Sequence, residues 1–144
     1  MKRRLLGFIA AGLFASVSHA DFIFHSNSSS VCADVPGHWT GRGKANNWLI
    51  GECKYHGSGI ISALDGAGHF KIEVSADKDS GTSLCPKHAY EELTGSCTNG
   101  VVTIKTQYGS LAGNFSRNAG DAKGTLSVGP GMSADVVVRF ERAG

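Results

Sequence analysis

Five histidines follow residue 20, at His25, His38, His56, His69 and His88, together with four cysteines, Cys32, Cys53, Cys85 and Cys97. These side chains hold zinc when they stand in close pairs such as C-x-x-C or H-x-x-x-H. Here 20, 31 and 11 residues separate successive cysteines, and no two histidines are two or four apart. The pattern assigns no metal ligand, and no cofactor is implied. Serine nucleophiles sit on a Gly-x-Ser-x-Gly elbow. Gly57-Ser58-Gly59 lacks that spacing and reads as a turn between two strands. A cysteine nucleophile needs a free thiolate, which an even cysteine count in an exported chain argues against. Glu91-Glu92 and Asp77-Lys78-Asp79 bring carboxylates together, but their solvent-type neighbours make them a hydrated surface rather than an acid/base pair. No Gly-rich phosphate loop ending in Lys-Ser/Thr is present. No catalytic residue is assigned, and the chain is expected to be non-enzymatic.

The cysteines offer crosslinks instead, and the N-terminus says where they would form. Lys2-Arg3-Arg4 precede an uncharged stretch from Leu5 to Val17, then Ser18-His19-Ala20. A basic start, a short apolar run and small residues make a secretory signal over residues 1–20, cut between Ala20 and Asp21. A bilayer-spanning helix needs roughly 20 apolar residues, more than this run supplies. Export, to the periplasm or the medium, then permits two disulfides among the four cysteines. Four cysteines allow three pairings. Cys32–Cys53 with Cys85–Cys97 is the expected one, because it pins the N-terminal segment and staples a long connection. Cys53–Cys97 is the rival, because both share one strand face.

Cleavage also removes three of the 14 basic residues, leaving 11 against 12 acidic ones, a balance of −1. No Lys/Arg run remains, so a nucleic-acid groove or polybasic membrane patch finds no support. The remaining 124 residues suffice for one domain.

The elements that must carry these residues are strands. Residues 21–36 read as a polar arm with a Ser/Asn cluster, closed by Pro36-Gly37. From Gly37 to Arg142 apolar residues recur at every second position, broken by Gly, Asn and Asp. Strands are expected near 37–43, 47–56, 58–65, 68–77, 91–98, 101–108, 110–117, 121–128 and 132–142. Thr98-Asn99-Gly100-Val101 is the clearest hairpin turn; 118–121 and 128–131 are turns of the same kind. One face carries Phe70, Ile72, Val74, Ala76, Leu93, Val102, Ile104, Leu111, Phe115, Leu126, Val128, Val136, Val138 and Phe140. The other carries His69, Lys71, Glu73, Thr94, Lys105, Lys123, Asp135 and Glu141. The fold class is therefore all-β: an antiparallel up-and-down meander of eight or nine strands over residues 37–142, closing into a small barrel that leaves no open edge. A two-sheet sandwich is the alternative. Glycines on or beside the inward phase, such as Gly41, Gly95, Gly113 and Gly124, read as tight coiling of a small barrel in preference to a ligand cavity.

Gly37-His38-Trp39 resembles the opening of the lipocalin-like (calycin) barrels, which carry Gly-x-Trp on the first strand. The Gly-punctuated strands around Gly95, Gly113 and Gly124 are similar to small exported bacterial β-domains. The lipocalin likeness implies an Arg near the end of the last strand, packed across Trp39. Arg142 is the first choice and Arg139 the second, and the contact would be a cation–π pair closing one end of the barrel. The helix that follows the last lipocalin strand has no counterpart here.

Trp48 falls on the outward phase, opposite Leu49, Gly51 and Tyr55, and an exposed Trp is a candidate contact. The arm, with Phe22, Ile23 and Phe24, would either cover it or meet a partner itself. Three functions follow, of which a secreted hydrolase ranks last. The first is a protein-interaction module, a secreted factor or an inhibitor of an extracellular hydrolase, in which deleting residues 21–31 abolishes capture and spares the fold. The second is a carrier or sensor of a small apolar ligand, with Tyr55, Phe70, Leu111, Phe115 and Phe140 lining the cavity. A Gly-rich, small interior favours the first.

Overall fold

The computed structural model describes residues 21–129 and 131–143; the leader expected over residues 1–20, with its cut after Ala20, lies outside the described residues. Among the described residues nine strands form: β1 (Asp21–His25), β2 (Gly37–Asn47), β3 (Gly51–Ile61), β4 (His69–Ser80), β5 (His88–Thr98), β6 (Val101–Lys105), β7 (Gly109–Phe115), β8 (Ala119–Gly129) and β9 (Met132–Arg142). They close into one barrel in the order β1-β6-β5-β4-β3-β2-β9-β8-β7. Every neighbouring pair is antiparallel except β1 with β7. The β2–β3, β4–β5, β6–β7 and β8–β9 connections gather at one end, here the upper one. The β1–β2 connection, with its 3-10 helix (Ser29–Asp34), closes the lower end.

Period-two alternation sets which side chains enter. Phe70, Ile72, Val102, Ile104 and Leu111 are buried, and Val74, Leu93, Phe115, Val136, Val138 and Phe140 half-buried. The eight residues expected on the opposite face are all exposed. The side chain of Val128 lies outside the described residues. Phe70, Ile72, Cys97, Val102 and Ile104 form the core with Val35, and Phe22, Phe24 and Phe115 pack against it. The Asn99-Gly100 turn adopts the expected geometry, with φ of 52° and 80°.

The nine strands of the structure are not the nine expected. Residues 21–25 are not an arm. They insert between β6 and β7, pairing Phe22 with Ile104 on one side and Leu111 on the other. Where two strands were expected, at 47–56 and 58–65, there is one, β3, over Gly51–Ile61, and Gly57-Ser58-Gly59 runs through it. The reason is close approach: a Cβ at Gly57 would collide with the Ser75 carbonyl oxygen of β4. Gly113 does the same for β7 against the Asp121 carbonyl of β8. Missing side chains here let neighbouring backbones coil tightly, as a narrow barrel requires.

The disulfides are Cys32–Cys97 and Cys53–Cys85, neither the expected pairing nor its rival. Cys53 and Cys97 do share the inward face, but Cys53 stands at the upper end of β3 and Cys97 at the lower end of β5. Cys97 therefore meets the 3-10 helix, and Cys53 meets the β4–β5 connection.

Candidate functional site

The lower end is built for closure. Trp39 and Arg142 are cross-strand partners, and the guanidinium carbon lies 4.4 Å from the centre of the indole. Trp39 Nε1 donates to the Val35 carbonyl at 3.0 Å. Arg142 donates to the carbonyls of Arg117 at 3.1 Å, Pro36 at 3.1 Å and Asp34. One cation thus ties β9 to the β1–β2 and β7–β8 connections, with its charge offset by carbonyl dipoles and the indole face.

Of the aromatics expected to line a cavity, Phe70, Phe115 and Phe140 pack inside and Tyr55 does not. Phe70 is buried, and its ring lies against Gly95, where a Cβ would stand 2.7 Å from Cζ. Phe140 meets Trp39 and Phe24 edge-on, at centroid distances of 5.8 and 5.5 Å. Phe115 packs on the same core. The rings fill the space that inward glycines leave. Tyr55 is half-buried, and its hydroxyl donates to the Pro86 carbonyl at 2.9 Å; burial raises its pKa above the ordinary value. An open depression of 480 Å³ lies on the outer wall, bordered by Lys71, Thr94, Ser96, Thr103 and Lys105 and reaching Phe70 at its floor.

The upper end is different. Trp48 is 91% exposed, Leu49 56% and Leu84 64%. Trp48 lies in the β2–β3 turn, beyond the strand it was expected to occupy. That turn is held from below by Asn47, the buried polar residue whose side-chain oxygen accepts from Leu49 N at 2.8 Å and Ile50 N at 3.0 Å. Its amide nitrogen donates to the Ser133 carbonyl of β9 at 2.6 Å. The β4–β5 connection leans on the same turn, since Thr82 Oγ1 donates to the Ile50 carbonyl and Cys85 is crosslinked to Cys53. Trp48 and Leu49 are thus displayed on a turn backbone with little freedom to retract them. Asn47→Ala should cost about 2 kcal/mol in equilibrium unfolding, because it strands two turn N–H groups and one carbonyl.

Sequence reasoning missed a row on the outer wall. His56, Asp77 and His88 share one rung across β3, β4 and β5. His88 Nδ1 lies 2.8 Å from Asp77, and His56 Nδ1 2.5 Å from Asp79. The signal was register, which separates by 21 and 11 positions residues that fold side by side. Among the described residues no three His, Cys, Asp or Glu side chains are placed to hold a metal. Exposed pairs of this kind add little to stability. At the β3–β4 turn the N–H groups of His69 and Ala67 hold the Asp65 carboxyl below the usual carboxylate range.

No family model matches the chain, and neither a curated protein nor a solved structure matches it. Among the described residues no helix is long and apolar enough to cross a membrane.

Proposed function

We propose that this protein is an exported, non-enzymatic interaction module that grips another protein with the upper end of its barrel. The carrying observation is the 91% exposure of Trp48 on a turn fixed by a buried asparagine. A large aromatic left in water on a fixed backbone suits a protein hot spot, because the turn is already ordered before binding and Trp has only two side-chain torsions to lose. Two disulfides support work in an oxidising compartment, the periplasm or the medium. A secreted factor or an inhibitor of an extracellular hydrolase fits this design. An apolar carrier has less support, since Phe70, Phe115 and Phe140, offered as its lining, are taken up by core packing and by Phe24 and Trp39.

The test uses the protein as bait against the exported proteins of its own cell and against extracellular hydrolases. One retained partner, bound about 100-fold more weakly by Trp48→Ala, is the expected result. The variant should melt within about 2 °C of the parent, because an exposed side chain contributes little to folding. Equal capture by parent and variant would remove the tip from the contact.

A further inference from the structure

β5 is eleven residues long and its neighbour β6 only five. Their register ends at Thr94 opposite Lys105, whereas β4 stays paired with β5 down to His88. Residues 88–93 therefore have a strand on one side only. Alternation decides what the other side presents. Cys97 N donates to the Gly68 carbonyl on the β4 side, and the Lys87 carbonyl accepts from Lys78 N of β4. The register shows no bulge between them, so odd-numbered residues of β5 turn their backbone groups to β4. Tyr90 and Glu92 turn theirs the other way, into the notch above β6. Among the described residues no strand takes them up.

Three carboxylates gather at the notch, above Lys105 and Lys71 on the outer face. Glu73 and Glu92 stand directly opposite one another on the outer face. Glu91, on the inward phase, accepts from the Tyr108 hydroxyl at 2.9 Å across the notch. Among the described residues no basic group lies within ion-pair distance of these three carboxylates. Like charges placed opposite one another in a sheet repel, and a bound cation would relieve them. Tyr90 reports the same field: partial desolvation and then the Glu73 and Glu92 carboxylates raise its pKa above the ordinary value.

We propose that the open edge of β5 is a docking strand for a basic, extended segment of a partner protein. Main-chain bonds to Tyr90 and Glu92 would add the segment to the sheet, and its alternate Lys or Arg side chains would meet Glu73 and Glu92. The proposal rests on the reading of the barrel as a protein-binding module and adds the chemistry of what is bound. A second copy of this chain is a poor occupant, because pairing β5 with itself would bring six carboxylates together.

The test titrates the protein, as its producing cell makes it, with the blocked octapeptide (Lys-Thr)4 at low salt. One-site binding is expected, weakened at least about tenfold by N-methylation of alternate peptide nitrogens, which removes strand bonds and keeps the charge. The protein variant Glu73→Gln/Glu92→Gln should weaken it to a similar degree, and (Glu-Thr)4 should not bind. Trp48→Ala should leave it unchanged, which separates this site from the apolar tip: peptide binding can fail while tip-dependent capture persists, and the reverse. Equal affinity for the N-methylated peptide would overturn the proposal, because attraction alone would then explain the contact. So would no binding at about 1 mM peptide, or a protein dimer that the peptide does not displace.

Discussion

Trp39→Ala is expected to lower the stability of the barrel by about 4 kcal/mol, within the range for buried aromatic truncations. The side chain is 8% exposed and fills the lower end. Its loss removes the edge contact with Phe140 and the plane over which the Arg142 guanidinium rests. It also leaves the Val35 carbonyl without its indole donor, while Val35 itself is only 3% exposed. The Arg142 hydrogen bonds to three carbonyls would survive, so the lower end should loosen without opening. Trp39→Phe separates the contributions, because it keeps an aromatic face under Arg142 and loses the Nε1 bond with part of the packing, at a cost of about 2 kcal/mol. Urea unfolding measures both. For a chain of this size each kcal/mol moves the melting temperature by roughly 3–5 °C, so the alanine variant should melt roughly 12–20 °C lower. A cost below about 1 kcal/mol for Trp39→Ala would mean that the 3-10 helix and Cys32–Cys97 seal this end unaided.

Alternation made much of this molecule legible. Side-chain phase is a local property of a pleated chain, and it placed Phe70, Ile72, Val102, Ile104 and Leu111 inside and their neighbours outside. It also put Trp48 in solvent, although by assigning it to a strand face when it stands in a turn. What phase cannot give is height along the barrel, which depends on register between strands. Cys53 and Cys97 share a face and yet lie at opposite ends, so the rival disulfide was stereochemically out of reach. The His56–Asp77–His88 row and the open stretch of β5 are likewise properties of register. Gly57 misled for another reason. Glycine marks turns and also marks places where backbones nearly touch, and one sequence does not say which. The two errors in strand assignment, one strand split and one missed, left the count at nine.

The missed strand is where the largest effect is expected. A chain begun at Ser26 should fail to fold cooperatively, giving a broad, low-amplitude melt and early aggregation. β1 closes the gap between β6 and β7, with five paired positions on one side and four on the other. Removing it exposes two strand edges at once, each a template for association. It also withdraws Phe22 and Phe24 from the core, where Phe24 meets Phe140 at 5.5 Å. Two half-buried phenylalanines and a ladder on both sides come to about 6 kcal/mol or more, comparable to the whole stability of an ordinary domain. Cys32–Cys97 would persist, since both cysteines remain, but a crosslink limits the unfolded chain and supplies no strand. The same deletion distinguishes a wall from an arm. An arm could be removed with loss of binding alone, whereas a wall strand takes the fold with it. An unchanged far-ultraviolet spectrum and a sharp melt after the deletion would mean that β6 and β7 can pair directly across three connecting residues, and β1 would then be an addition to a barrel already closed.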